Sequence, residues 1–174
     1  MVNEFIQEMM NRRSCRKFKS EQITDEQLNA ILTAGEYAPT GRNMQSPKMV
    51  VIQNPEIITK LSKWNAEILG VDFDPFYGAP TVILVLADKN RPTAVEDGSL
   101  VMGNLMLAAH SVGVASCWIH RAKEEFATKE GQDLLKKWGV EGEYIGVAHC
   151  VLGYADGELP KPIPRKKDYV VMVK

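Results

Sequence analysis

The stretch TVILVLA, Thr81 to Ala87, runs apolar after its first residue without the alternation that a half-exposed strand would show. A strand of that texture is covered on both faces, so it is expected near the centre of a sheet. Upstream, Lys48 to Gln53 is rich in Met, Val and Ile and reads as a second strand. Asn54-Pro55 then turns the chain into an amphipathic helix bearing Ile57, Ile58, Leu61, Trp64 and Ile68, and Asp72 to Gly78 reads as loop. Downstream, Val95 to Val112 has helical spacing but is apolar nearly all the way round. Such a helix fills the domain centre or lies in a subunit interface. Ala115 to Ile119 follows as a short strand, Glu124 to Trp138 as a mostly exposed helix, and Tyr144 to Leu152 as another strand.

The N-terminal third is helical in pattern. Asn3 is a natural N-cap for a short helix with Phe5, Ile6, Met9 and Met10 on one face. Thr24-Asp25-Glu26-Gln27 is a capping box, followed by Leu28, Ile31, Leu32 and Gly35, with Pro39 bounding the far end. The C-terminal tail differs: Gly157 to Lys167 holds three prolines and four basic residues, and only Tyr169 to Val173 looks like a strand. A tail of that kind could add to a sheet edge, including that of a partner subunit.

Composition narrows the class. The 174 residues are 45% hydrophobic and 25% charged, the make-up of one globular domain spanning 1–174 with a real core. Lys plus Arg number 21 against 22 Asp plus Glu, so no global charge favours nucleic acid or an anionic membrane, and an anion site must be local. The start MVNEFIQEMMNRR lacks the basic-then-apolar order of a signal peptide. The longest apolar run, near Ala79 to Ala87, is about half the roughly 18 residues of a membrane span. Cys15, Cys117 and Cys150 form no paired spacing, and His110, His120 and His149 lack metal-ligand spacing. The expectation is a cytoplasmic protein with free thiols and no bound metal.

Four segments could carry chemistry. Arg12-Arg13-Ser14-Cys15-Arg16-Lys17-Phe18 packs four cations and a hydroxyl into seven positions, donors suited to phosphate oxygens, although the same run could simply close a helix. Ala38 to Pro47 holds two prolines, a glycine and the amides of Asn43 and Gln45. It is either an ordinary connection or a rigid presentation of donors to a heteroaromatic edge. Gly113 to Arg121 runs from strand to loop, and Pro162 to Lys167 presents cations on a stiff tail. Neither G-x-G-x-x-G after a strand nor G-x-x-x-x-G-K-[ST] is present.

Taken in order, Arg-Arg-Ser-x-Arg-x-Phe, then Pro-Thr-Gly-x-Asn-x-Gln-x-Pro, then Gly-x-x-Ser-Cys-Trp-Ile, then Pro-Arg-Lys resemble the short, single-domain members of the FMN-dependent nitroreductase family. The resemblance implies an α+β, three-layer fold. Its central sheet would be mixed but mainly antiparallel, flanked by helices and completed by the partner's C-terminal strand. It further implies a homodimer with FMN in clefts between the subunits. Arg12, Arg13, Ser14 and Arg16 would hold the phosphate and ribityl chain, with Arg165 and Lys167 closing over them. Asn43 and Gln45 would bond the isoalloxazine, Pro39 and Thr40 would shape its wall, and the backbone of Ile119 and His120 would lie by the reactive N5 edge. Longer family members often carry an acid at the position of His120, so this sequence departs there.

The activity so implied is ping-pong reduction of small acceptors, such as nitroaromatics or quinones, by NADH or NADPH, with the cofactor carrying the chemistry and no side chain required as acid or base. The same residues would serve reductive dehalogenation or dehydrogenation. A non-catalytic flavin-binding protein is the remaining alternative. The loop between Trp64 and Pro80 is the expected source of substrate contacts.

Overall fold

The computed structural model describes residues 2–174. In chain order the elements are α1 (Glu4–Asn11), α2 (Asp25–Glu36), a 3₁₀ turn (Gly41–Asn43), β1 (Lys48–Ile52), α3 (Pro55–Leu69), β2 (Thr81–Asp88), α4 (Ala94–Ser111), β3 (Ala115–Ile119), α5 (Ala122–Ala127), α6 (Lys129–Lys137) and β4 (Tyr144–Gly153). The sheet has the order β1-β2-β4-β3, and each neighbouring pair is antiparallel. The mixed character expected of it reduces, among the described residues, to one parallel bridge between Ser14 and Ser116 beside β3.

β2 is interior, and every residue from Thr81 to Ala87 is buried. Successive side chains of a strand point to opposite faces, which divides the core in two. Ile83, Val85 and Ala87 pack with α2 and α4, while Val82, Leu84 and Leu86 pack against α3, α5 and α6. The result is an α+β sandwich of three layers, helices, sheet, helices. Truncating Leu84, wholly buried between them, would remove about 2–5 kcal/mol.

Local chemistry explains most boundaries. Thr24 and Gln27 form the reciprocal capping box, and the Asn54 side chain accepts the Glu56 and Ile57 N–H groups ahead of Pro55. Each satisfies donors that a helix start leaves unpaired. Asn3 likewise caps α1 through the Ile6 N–H.

Three expectations need correction. The helix read across Glu124 to Trp138 is two, because Thr128 adopts an extended conformation between them. Its hydroxyl donates to the Glu125 carbonyl and accepts the Gly131 N–H. Nor is that segment mostly exposed, since Glu125 and Phe126 are buried. Tyr169 to Val173 forms no strand in the single chain and is exposed, for a strand needs an edge to pair with. Beyond these corrections, α4 buries one stripe through Val101, Met102, Leu105 and Ala109 while Val95 and Leu100 of the single chain face solvent, and α1 buries none of its apolar face. No helix among the described residues is long and apolar enough to cross a membrane.

Candidate cofactor site

Beyond α1 the chain runs along the outer edge of β3. Ser14 bridges to Ser116, and the Cys15 N–H donates to the Ser116 carbonyl at 2.9 Å. Three side chains from this run bear on one point of the strand. Burial pushes the Cys117 thiol up, opposed by the Arg16 charge, a hydrogen bond from Ser14 and the Arg12 charge. Ser14 and Cys15 thus lie on the β3 edge at Ser116, with Arg12 and Arg16 on either side of them in the chain. Arg12 has a buried Nη1 with no partner among the described residues. A buried donor left unpaired costs about 1–3 kcal/mol, and an anionic oxygen is the group that would satisfy it. Arg13 donates its Nη1 to the Met10 and Arg12 carbonyls at 2.6 and 2.7 Å, closing the C-terminus of α1, and its Nε is likewise buried without a partner among the described residues.

The loop before β1 is held by a residue the sequence did not single out. Asp97, in the first turn of α4 and 3% exposed, accepts the Gly41 N–H at Oδ1 (2.9 Å) and the Thr93 hydroxyl at Oδ2 (3.0 Å), with the Ser46 hydroxyl at 3.4 Å. Thr40 adds a second tie, its Oγ1 accepting the Gln45 N–H at 3.0 Å. Glycine is required at 41, where a Cβ would stand 2.5 Å from Thr93 Oγ1. So anchored, the loop carries Arg42, Asn43 and Gln45 at φ 54°, 54° and 50°, left-handed conformations that cost non-glycine residues of order 1 kcal/mol each. Asn43, Gln45 and Pro39 are exposed, and the two amide side chains make no hydrogen bond among the described residues. They are free donors and acceptors on a braced backbone.

At the end of β3, Ile119 is buried and His120 exposed, and Arg121 turns the chain at φ 80° into α5. Beneath this corner lies a second feature that sequence reasoning missed. The Asn65 amide, 1% exposed, donates to the His120 carbonyl (2.7 Å) and to Glu125 Oε1 (2.8 Å), and Glu125 Oε2 meets His149 Nε2 at 2.5 Å. His149 stands opposite Ile119 in the β3–β4 ladder. The available signals were an Asn within the apolar stripe of α3 and a His within an apolar strand.

Register places these parts relative to one another. Lys48 pairs with Leu86, Leu86 with Gly146, and Ile119 with His149. The loop entering β1 and the corner leaving β3 therefore sit at the same end of the sheet, on its two opposite edge strands. At about 4.8 Å per strand their separation is roughly 14 Å. One chain thus unites the Arg12–Arg16 run with β3 and keeps the Pro39–Pro47 loop apart. Arg165 and Lys167, on the exposed tail, join neither. A cavity of about 830 Å³, lined by Gln22, Gln53, Ile58, Lys63, Phe73 and Pro80 among others, lies where β1 ends and β2 begins; the loop between Trp64 and Pro80 lines it, and none of the candidate cofactor residues does.

An orphaned guanidinium nitrogen in the run beside β3 and two unengaged amides on the braced loop are groups that an anionic ligand with a polar edge would satisfy. The nitroreductase family profile matches residues 9–72 and 68–154, and the chain belongs to that family. A nitroreductase of Bacteroides fragilis with bound FMN is 27% identical and superimposes with a TM-score of 0.90 over 99% of this chain and 100% of its own. A nitroreductase of Desulfitobacterium hafniense, also with bound FMN, is 29% identical, with a TM-score of 0.89 and the whole of both chains covered. An FMN reductase of Bacillus subtilis that uses NAD(P)H is 32% identical over 97 residues, 55% of this chain and 37% of that protein.

Proposed function

We propose that this FMN-dependent oxidoreductase reduces small planar acceptors, nitroaromatics or quinones, with electrons from NADH or NADPH by a ping-pong sequence in one cleft. The observation that carries the reading is the buried Arg12 Nη1, without a partner among the described residues, in the run that Ser14 and Cys15 tie to the β3 edge. Arg12, Ser14 and Arg16 would hold the FMN phosphate by charge-assisted bonds. Arg13 contributes by closing α1 and so fixing the direction in which Arg12 leaves it. Bound FMN would supply the two-electron redox chemistry. The protein's part is to orient it and to keep donors facing its edge.

The backbone at Ile119, His120 and Arg121 serves that edge from one chain. Asn43 and Gln45, with Pro39 and Thr40 behind them, serve it from a second chain, because the loop and the corner of a single chain stand on opposite sheet edges. A homodimer of this kind also accounts for apolar surface that one chain leaves open, on α1 at Phe5, Met9 and Met10 and on α4 at Leu100. The outer edge of β3 is taken by Ser14 and Cys15, whereas β1 has a free edge. The partner's Tyr169–Val173 segment would pair there and bring Arg165 and Lys167 to the phosphate. Residues 1–174 act as one such unit, in a reducing cytoplasm where the three buried thiols stay free.

The test is the visible spectrum of the purified protein, recorded before and after anaerobic addition of NADH and then NADPH. Flavin bands near equimolar protein that bleach promptly are expected; a colourless protein that takes up no added FMN would overturn the reading. In the doubly substituted Arg12→Ala, Arg16→Ala protein several bonds of roughly 1.5–3 kcal/mol each are lost, so it should purify without flavin. Stoichiometric flavin in that variant would remove these residues from the phosphate site.

A further inference from the structure

Buried polar groups need partners, and a buried carboxylate needs strong ones. Glu125 and His149 are both wholly buried, on α5 and β4, and the phosphate and ring contacts assigned above use neither. Phe76 and Phe126 flank the His149 ring at 5.1 and 6.2 Å between centroids, so the pair sits in an apolar pocket. Glu125 divides its oxygens, Oε2 to His149 and Oε1 to Asn65. Both neighbours of the Asn65 amide are acceptors, Glu125 Oε1 and the His120 carbonyl, which fixes the amide with its NH2 group toward them. The relay thus ends on a backbone atom: His149 holds Glu125, Glu125 holds Asn65, and Asn65 holds the His120 carbonyl.

The carbonyl so held belongs to the peptide joining His120 to Arg121. In a trans peptide the C=O and the following N–H point in opposite directions. With the His120 carbonyl drawn inward to buried Asn65, the Arg121 N–H is turned outward, and neither it nor the His120 N–H donates to any group among the described residues. Arg121 keeps the left-handed backbone at φ 80° that this orientation uses. A non-glycine residue holds such a conformation only where its surroundings impose it.

We infer that Asn65 is a positioning residue, braced by Glu125 and His149, that locks the His120–Arg121 peptide with its free N–H toward the bound cofactor's edge and thereby sets the cofactor's reduction potential. The inference rests on the FMN reading above. Gripping the carbonyl from behind keeps the donor fixed whether or not the ligand is present. Loosening the grip lets the peptide rotate, and the bond it offers then weakens most in the oxidation state that depends on it more.

The experiment compares flavin-loaded wild-type protein with Asn65→Leu, similar in size but unable to donate, and with Glu125→Gln, which retains an oxygen for Asn65. The midpoint potential is read by reductive titration against a reference dye. Asn65→Leu should change the ratio of affinities for the two flavin oxidation states by about tenfold, a shift of about 30 mV for a two-electron couple. Glu125→Gln should stay close to wild type. Equal potentials in wild type and Asn65→Leu, with flavin bound to both, would overturn the inference, since a purely structural Asn65 would lower stability and leave the potential alone. Should Asn65→Leu fail to fold, the wild-type protein still decides: the Arg121 amide resonance must move when FMN is added, and an unmoved resonance overturns the inference. A wild-type protein that takes up no FMN overturns the functional reading itself, an outcome distinct from flavin bound at an unshifted potential.

Discussion

Two corners at one end of the sheet are each braced by a buried acid, and they are braced differently. At the loop before β1, Asp97 grips the backbone directly through the Gly41 N–H and shares its other oxygen with Thr93 and Ser46. At the corner after β3, Glu125 never touches the backbone it controls and acts through Asn65, with His149 behind it. The loop acid is ringed by hydroxyls, which can rotate to follow a shift. The corner acid is bonded to an amide and an imidazole whose positions are set by a helix and a strand. Side chains on the braced loop, Asn43 and Gln45, are exposed and free, whereas at the corner the backbone itself is presented. The difference suits one surface that adapts to a ligand and one that holds a fixed donor.

The largest expected effect breaks the rigid corner. Glu125→Leu leaves His149 Nε2 buried without a partner and the Asn65 amide with only the His120 carbonyl, and removal of one member of a buried pair costs about 3–5 kcal/mol. Urea denaturation should show the midpoint falling accordingly with an unchanged slope. A loss under about 1 kcal/mol would mean that the relay is not what holds α5 to β4.

Asp97→Ala should be milder, roughly 1.5–3 kcal/mol for the charge-assisted bonds lost, because Thr93 and Ser46 can turn toward water. Its sharper signature is local: the left-handed residues Arg42, Asn43 and Gln45 lose the restraint on Gly41. Amide hydrogen exchange at Gly41 and Gln45 should accelerate while β2 stays protected. Equal acceleration throughout the sheet would erase the distinction between the two corners.

How much of this was readable beforehand follows from the kind of interaction involved. The apolar run of β2, the capping box at Thr24 and the Asn54-Pro55 helix start are local signals, and each element stands where its residues put it. The cluster of Arg12, Ser14 and Arg16 was legible as composition, but the helix-closing role of Arg13 was not, because it depends on how α1 ends. The break at Thr128 escaped notice because it is set by individual contacts, the Thr128 hydroxyl with the Glu125 carbonyl and the Gly131 N–H, and no periodicity records those. The relay was invisible for the same reason. Its bonds join residues 55, 60 and 24 positions apart, and isolated polar contacts between distant segments leave no period in a sequence. Asp97 looked like an ordinary acid in a helix's first turn, where acids are common.

The smallest effect concerns the acid next door. Glu124 pairs with Arg121 Nη1 at 2.8 Å, and that hydrogen bond holds its carboxyl below the ordinary value of 4.5. A depressed carboxyl contributes stability above its unfolded value and loses it as pH falls through the folded one, so the contribution is present at pH 7 and fades below about pH 4.5. Both side chains are more than a third exposed, at 36% and 39%, and solvent screening cuts the contribution to a few tenths of a kcal/mol. Glu124→Gln should therefore lower stability barely measurably at pH 7 and progressively less as pH falls below about 4.5, with the flavin potential unmoved. Adjacent residues on one short helix would then divide the task, Glu124 steadying the Arg121 side chain and Glu125 its peptide. A potential shift in Glu124→Gln as large as that in Asn65→Leu would move control of the corner from the buried relay to the surface pair.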